Sequence, residues 1–371
     1  MLVLFAIIIV VALIIQDYSV RNARNHDKIR YDCAPSVRSC EPGEEFLVFS
    51  VFSNLGLKPT PIVRIEERFP KELEVLEAEQ FNVKVLTDDY RIFRSTVLAR
   101  SHQQVKRYLR ASIAQRGEYR FSYADFRAGD FLGFKEFEYR MHNDHSIVIY
   151  PARIENADYL KTFENAMDEL ALRRQLLEDP ISVCGFRDYT GREPMRQISW
   201  KHTAMHNSLI VKQFDPVWQP SVCIALDMHY HGGYDMYFKR QELCFSIART
   251  CCEYLEEKAI GYRLVTNAII TNEVSSFTSI GGKGGAFQSI LYALGSAKNG
   301  GVCTVDELMT AVCSASYKQD MIVYISTCRN KEVRHALERV RALSGAKVLT
   351  VFAEDIMPTD GSETAEGGGA A

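Results

Sequence analysis

Two stretches of the chain carry side chains that could do chemistry. The first is Asp227-Met228-His229-Tyr230-His231, which closes and follows the apolar run SVCIALDM beginning at Ser221. Residues two apart on an extended strand point the same way, so His229 and His231 would present both imidazoles to one side, next to a carboxylate. Asp beside His-x-His suits a borderline metal such as Zn²⁺ or Ni²⁺, and a cation held there would lower the pKa of its water toward neutrality. The chemistry so defined is metal-dependent hydrolysis, with Asp227, His229 and His231 as ligands. The plainer alternative is a short His/Tyr loop that binds nothing. The second stretch runs from Gly185 to Phe214, GFRDYTGREPMRQISWKHTAMHNSLIVKQF. It gathers Arg187, Tyr189, Arg196, Trp200 and Lys201 around a Thr190-Gly191 turn. Pro194 stands where a short helix can begin, because its missing N–H is one the first turn leaves unpaired. So mixed a tract is a poor core element. It reads as a docking surface for an acidic or phosphate-bearing partner, with Trp200 as the anchor. The alternative is a linker pinned to the next domain by stacking and by ion pairs with Asp188 or Glu193.

Other motifs are weaker. Gly281-Gly282-Lys283-Gly284-Gly285 resembles a phosphate-cradling loop entering a helix, yet it lacks the G-x-x-x-x-G-K-[ST] arrangement and reads as a flexible connection. The turn from Gly129 to Gly133 needs glycine where the backbone bends sharply and reads as structural. No serine, histidine and aspartate are spaced as a nucleophile with its base, so no catalytic residue is assigned. A net charge of -3 gives no drive toward nucleic acid. Of the ten cysteines, Cys223, Cys244, Cys251, Cys252 and Cys328 fall inside apolar patterns, where a free thiol behaves as a small hydrophobe. Cys33 and Cys40 flank a short loop and are left open as a pair.

The elements that must position these residues follow from periodicity. With 371 residues the chain has room for two or three domains, since one core seldom serves more than about 250–300 residues. Met1 to Ile15 is unbroken apolar sequence, and extension through Val20 reaches the about 20 residues a span requires. Arg21, Arg24, Lys28 and Arg30 follow at once, which by the positive-inside rule puts the bulk of the chain in the cytoplasm. The expectation is a single-pass transmembrane anchor over residues 1–20, with no cleaved signal peptide because neither a basic start nor a small-residue cleavage site is present. Residues 28–151 read as a β-sandwich: FLVFSVF (Phe46 to Phe52) is rich in β-formers, and Tyr119, Phe121 and Tyr123 alternate with Arg120 and Ser122 to bury one face. Residues 152–219 read as a helical linker carrying the tract, with Met167, Leu170, Leu172 and Leu176 as an apolar stripe. From 220 to 355, strands and helices alternate as a doubly wound α/β domain whose crevice lies at the carboxyl ends of its strands. Residues 356–371 read as a disordered tail.

The Gly185–Phe214 tract, with RGEYRFSYADFRAGDFLGF (Arg116 to Phe134) and IVIYP (Ile147 to Pro151) before it, resembles a bacterial membrane-anchored family known as "domain of unknown function fifty-eight". That family carries a von Willebrand factor A-like domain and commonly accompanies MoxR-type AAA+ ATPases. The resemblance implies a membrane-tethered adaptor that works with such an ATPase in assembling or activating other proteins. Arg187, Tyr189, Gly191, Arg196, Trp200 and Lys201 would carry the contact. This chain departs from the family pattern at Gly191-Arg192, where Gly-Asp is usual, and around Met205, where an arginine is common. The resemblance also implies a crevice in which Asp-x-Ser-x-Ser, a threonine and a later aspartate surround Mg²⁺ through oxygen ligands. Asp227 matches the first position, but imidazoles replace both hydroxyls. The strand containing Tyr324 ends Ser326-Thr327-Cys328 without the aspartate. The cage is therefore expected to be degenerate, with no cofactor required.

Overall fold

A computed structural model describes residues 2–24, 27–60, 62–77, 83–87, 90–129, 135–154, 161–169, 178–206, 208–216, 221–229, 234–280, 285–313 and 319–357. Several expectations fall outside these residues: the tail beyond Met357, residues 281–284 of the glycine-rich run, residues 130–133 of the Gly129 turn, and Leu170, Leu172 and Leu176. The chain divides into two compact units, Met1–Ala152 with Leu294–Ala297, and Arg153–Ala293 with Lys298–Ala371. The first is β-rich and the second mixed α/β.

The first unit opens with helix α1 (Leu2–Arg24). Here the sequence reading needs correction: no helix among the described residues is long and apolar enough to cross a membrane. The uninterrupted apolar run is about 22 Å long at helical rise, against a hydrocarbon core of about 30 Å. Gln16 and Asp17 then interrupt it, and Asp17 pairs with Arg21 one turn on, at 2.8 Å. The single-pass anchor over 1–20, and the cell-membrane location drawn from it, are not supported.

Among the described residues ten strands follow: β1 (Ile29–Pro35), β2 (Ser39–Cys40), β3 (Glu45–Asn54), β4 (Val63–Pro70), β5 (Glu74–Glu77), β6 (Val83–Leu86), β7 (Tyr90–Val97), β8 (Gln104–Ser112), β9 (Gly117–Gly129) and β10 (Glu136–Ile149). They make a four-stranded sheet, β1-β3-β8-β5, and a six-stranded sheet, β2-β10-β9-β4-β7-β6. One core holds both together, with Val48, Phe52 and Leu109 from the first sheet meeting Ile65, Phe93, Phe121 and Phe126 from the second. The period of two in β3 buries Phe46, Val48, Ser50 and Phe52 and leaves Phe49 outside. In β9 the phase changes midway. Phe121 is buried, but the inward positions beyond it are Ala124, Phe126 and Ala128. The register of the neighbouring β10 slips between His142 and His145, and such a bulge shifts which side chains face inward. Tyr123, expected inside, therefore sits on the outer face between the guanidiniums of Arg68 and Arg140, 5.0 and 4.2 Å from its ring. Cys33 and Cys40 are both buried and free.

The second unit begins with helix α2 (161–169), whose Phe163, Ala166 and Met167 are buried. An antiparallel pair, β11 (Glu178–Asp188) and β12 (Ile210–Pro216), carries helix α3 (Trp200–His206) between its strands. The remaining elements are β13 (Ser221–Leu226), α4 (Tyr234–Glu257), β14 (Gly261–Thr266), β15 (Ala268–Ile269), β16 (Ser275–Ser279), α5 (Gly285–Ser296), β17 (Lys298–Gly301), α6 (Val305–Cys313), β18 (Met321–Ser326), α7 (Lys331–Ser344), β19 (Lys347–Phe352) and α8 (Ala353–Ile356). Five of the strands form a sheet of order β16-β14-β13-β18-β19, all parallel except the edge strand β16. Counted along this sheet the order is 3-2-1-4-5, which reverses direction between β13 and β18, the switch point where open α/β sheets place their crevice. Helix α4 packs on β13, β14 and β18. Helices α6 and α7 build a core with Cys223, Ala225, Ile322 and Tyr324. Helices on both faces explain why β13 and β18 are continuous apolar runs rather than alternating ones.

Candidate functional site

The arginine- and tryptophan-bearing tract is the excursion between β11 and β12. Its base is closed by backbone bonds, with Tyr189 N–H donating to Leu209 O and Ser199 N–H to Ile210 O, each at 2.8 Å. At the turn, Gly191 has φ +87°, a left-handed conformation that glycine enters without steric cost. Glu193 closes this turn. Its carboxylate accepts the Thr190 hydroxyl (2.7 Å) and the Thr190 N–H (3.0 Å), and pairs with Arg187 at 2.7 Å. The Thr190 hydroxyl, with Arg187 beside it, pulls the Glu193 carboxyl down to about 2. Pro194 then leads into a single 3₁₀ turn, Met195–Gln197, and Ser199 O accepts the first N–H groups of α3, from His202 and Thr203. The Phe186 ring lies on that of His202, with centroids 3.6 Å apart.

Of the sequence-predicted contact residues, Arg187 is engaged by Glu193 and Tyr189 is half-buried at the base. Arg196, Trp200 and Lys201 are exposed. Among the described residues, the side chains of Arg196 and Lys201 have no hydrogen-bonded or ionic partner. Trp200 is 61% exposed, and Met195 and Met205 are more so. An exposed indole in a segment that also carries two exposed cations is a ready anchor for a partner that brings acidic groups and an apolar pocket. Sequence reading assigned no contact role to Phe186 at the end of β11, or to Met195 and Met205 in the excursion. Their signal is the lack of any helical or strand period that would send them inward.

The second candidate is the strand end at Asp227. Parallel pairing sets Leu226 opposite both Thr266 and Ile325. The next residues of the three strands, Asp227, Asn267 and Ser326, therefore meet at the switch point. Asp227 is fully buried. Its Oδ1 accepts the Asn267 amide (2.8 Å) and the His229 N–H (3.0 Å), while Oδ2 accepts the Tyr324 hydroxyl (2.6 Å) and the Ser326 hydroxyl (3.2 Å). A carboxylate offers about four acceptor sites, and these four protein donors are shared between its two oxygens. Asn267 also ties the surroundings down, accepting Met228 N–H at 2.7 Å and donating to Cys303 O at 3.2 Å. The backbone of Gly301 closes over the site. A Cβ there would stand 3.0 Å from the His229 nitrogen.

Burial, and then the Asp227 charge, push the Tyr324 and Tyr237 phenols upward, so both stay protonated as donors. Burial, with Glu307 and Asp227 nearby, pushes the Cys303 thiol up to about 11. His229 is half-buried, and His231 lies outside the described residues. Among the described residues no three His, Cys, Asp or Glu side chains are grouped to hold a metal ion. The Asp227 carboxylate, which would anchor an oxygen cage for Mg²⁺, accepts the protein's own hydroxyls and amides in this structure. Sequence reading missed Asn267 and Tyr324. Tyrosine in the otherwise aliphatic strand MIVYIS is the available signal, since a buried phenol needs a polar partner.

No family model matches the chain, and no curated protein matches it. Solved structures to which it is similar include Salmonella alpha-2-macroglobulin mutant Y1175G (14% identity, TM-score 0.25), over 33% of this chain and only 9% of that one. Others are a non-cellulosomal cohesin from the hyperthermophilic archaeon Archaeoglobus fulgidus (10% identity, 37% and 97% covered, TM-score 0.23) and an inactive D437A mutant of the GH20 exo beta-N-acetylglucosaminidase from Vibrio harveyi (8% identity, 61% and 45% covered, TM-score 0.23). Likenesses this weak assign no function.

Proposed function

We propose that the chain is a protein-interaction adaptor that engages a MoxR-type AAA+ ATPase through the excursion between β11 and β12, and that its 3-2-1-4-5 sheet is a von Willebrand factor A-like domain. The observation that carries the reading is Trp200, exposed on a segment that also bears the exposed Arg196 and Lys201 and follows the turn closed by Glu193. Ordering entropy is largely spent before a partner arrives, which favours binding. The strand-end carboxylate supports the same reading from the other side. Where the family resemblance implies a metal cage, this chain has a closed hydrogen-bonded plug, so a structural role for Asp227 is favoured over hydrolysis.

The test is co-purification of a MoxR-type ATPase with the full chain. Recovery by the wild-type chain, lost in the Arg196→Ala/Trp200→Ala double variant while its circular dichroism and melting are unchanged, is the expected result. Equal recovery by the double variant would remove the tract from the contact, and no recovery by either would remove the partner.

A further inference from the structure

A separate surface, sharing no residue with the excursion, lies at the far edge of the five-stranded sheet. Strand β19 pairs with β18 on one side, from Met321↔Lys347 to Ser326↔Phe352. Among the described residues nothing pairs with its other side. Exposed edges are usually blunted by charge, proline or a bulge. In KVLTVF the only charge is Lys347, at the first position, and Val348, Leu349 and Thr350 are all half-buried. Beside this open edge is a pocket of about 150 Å³ between β19 and α7. Val333, Leu337 and Phe352, each nearly buried, give it an apolar floor. Its rim carries the guanidiniums of Arg329, Arg334 and Arg341 against a single carboxylate, Glu338. Arg329 is committed, paired with Asp355 at 2.6 Å and stacked over Phe352 at 4.7 Å. Arg334 and Arg341 have no hydrogen-bonded or ionic side-chain partner among the described residues.

From this juxtaposition we infer that the β19 edge receives an extended acidic segment of a partner protein as a sixth strand. Its main chain pairs with β19, one apolar side chain enters the pocket, and carboxylates on either side meet Arg334 and Arg341. Geometry sets the pattern. Arg334 and Arg341 are two helical turns apart, about 10.5 Å along α7. Same-face residues of a strand recur about every 6.6 Å, so acidic residues four apart span about 13 Å with the apolar residue midway. Two long arginine side chains close the difference of about 3 Å. The recognised pattern is acidic-x-apolar-x-acidic in an extended segment.

The experiment uses the full chain and a labelled peptide containing Asp-Thr-Leu-Thr-Asp, read by fluorescence anisotropy. Saturable binding is expected, weakened at least about tenfold by Arg334→Gln/Arg341→Gln, two exposed positions where glutamine removes the charge and keeps a good helix former. Methylating alternate backbone nitrogens of the peptide should abolish binding in one set and spare it in the other, because only one set faces β19. Indifference to both methylated sets, or full competition by inorganic phosphate, would reduce the surface to an anion site and overturn the strand-addition proposal. So would equal affinity for the Lys-Thr-Leu-Thr-Lys peptide, or an edge occupied by a second copy of the chain in sedimentation. Loss of the ATPase contact alone, with peptide binding intact, leaves this inference standing.

Discussion

Replacing Tyr324 by phenylalanine takes away one of the four donors that hold the buried Asp227 carboxylate, and little else. The hydroxyl lies 2.6 Å from Oδ2, the shortest of the four bonds, and Ser326 stands at 3.2 Å from the same oxygen. A hydrogen bond to a charged group contributes about 1.5–3 kcal/mol, so Tyr324→Phe should destabilise the second unit by about 2 kcal/mol. For a unit of this size that is about 4–8 °C in melting temperature. Urea unfolding is the direct assay, because the midpoint should fall with the slope unchanged. Both tryptophans, Trp200 and Trp218, fall between Arg153 and Ala293, so intrinsic fluorescence reports this unit. The phenol adds a pH signature. Its pKa is raised in the folded chain, so both states hold the proton below the unfolded value of 10.0. Above that the unfolded chain releases it first, and stability is lost as pH rises toward the folded pKa. Tyr324→Phe should therefore flatten the alkaline loss by about 1.4 kcal/mol per pH unit. A variant within about 0.5 kcal/mol of wild type, with the alkaline slope unchanged, would refute the idea that the hydroxyl anchors the carboxylate.

Two further perturbations test the surrounding architecture. Glu193 has its pKa lowered to about 2, so its contribution to the turn is present above the unfolded value near 4.5 and is lost as pH falls through about 2. The Thr190 and Gly191 amide resonances should titrate in that window, and Glu193→Gln should abolish the titration. In the β-sandwich, Glu67 is buried, accepts the Tyr31 hydroxyl at 2.6 Å and pairs with the nearly buried Arg107 at 3.4 Å. Glu67→Ala should cost about 3–5 kcal/mol by removing the buried carboxylate that the Tyr31 hydroxyl and the Arg107 guanidinium both face, and the joint change Glu67→Leu/Arg107→Met should recover most of it in chemical denaturation.

Much of the architecture is a local property and was legible as such. The alternation in Phe46, Val48 and Phe52 places a strand with one face inward, because a period of two is set by the pleat alone. The apolar runs around Ile224 and Val323, separated by helical periods, describe a sheet covered on both sides. Tyr123 marks where that reasoning stops. Its phase depends on a bulge in the neighbouring β10, and no residue near it in sequence reports that slip. Met1–Ile15 marks another, since the length of an apolar run says little until the helix and its interrupting Asp17–Arg21 pair are seen.

The functional residues divide the same way. Asp227, Trp200, Arg196 and Lys201 stand out by type, and sequence alone singles them out, because their chemistry belongs to the side chain. What they do is decided by what arrives beside them. Asn267 and Tyr324 come to Asp227 from 40 and 97 residues away. Among the described residues the sheet ends at β19, and its edge is a surface for that reason alone. Charge and periodicity are written along the chain. The closing of a carboxylate's last acceptor sites, and the opening of a strand's outer edge, depend on which strands lie side by side, and that is settled by packing of the whole unit.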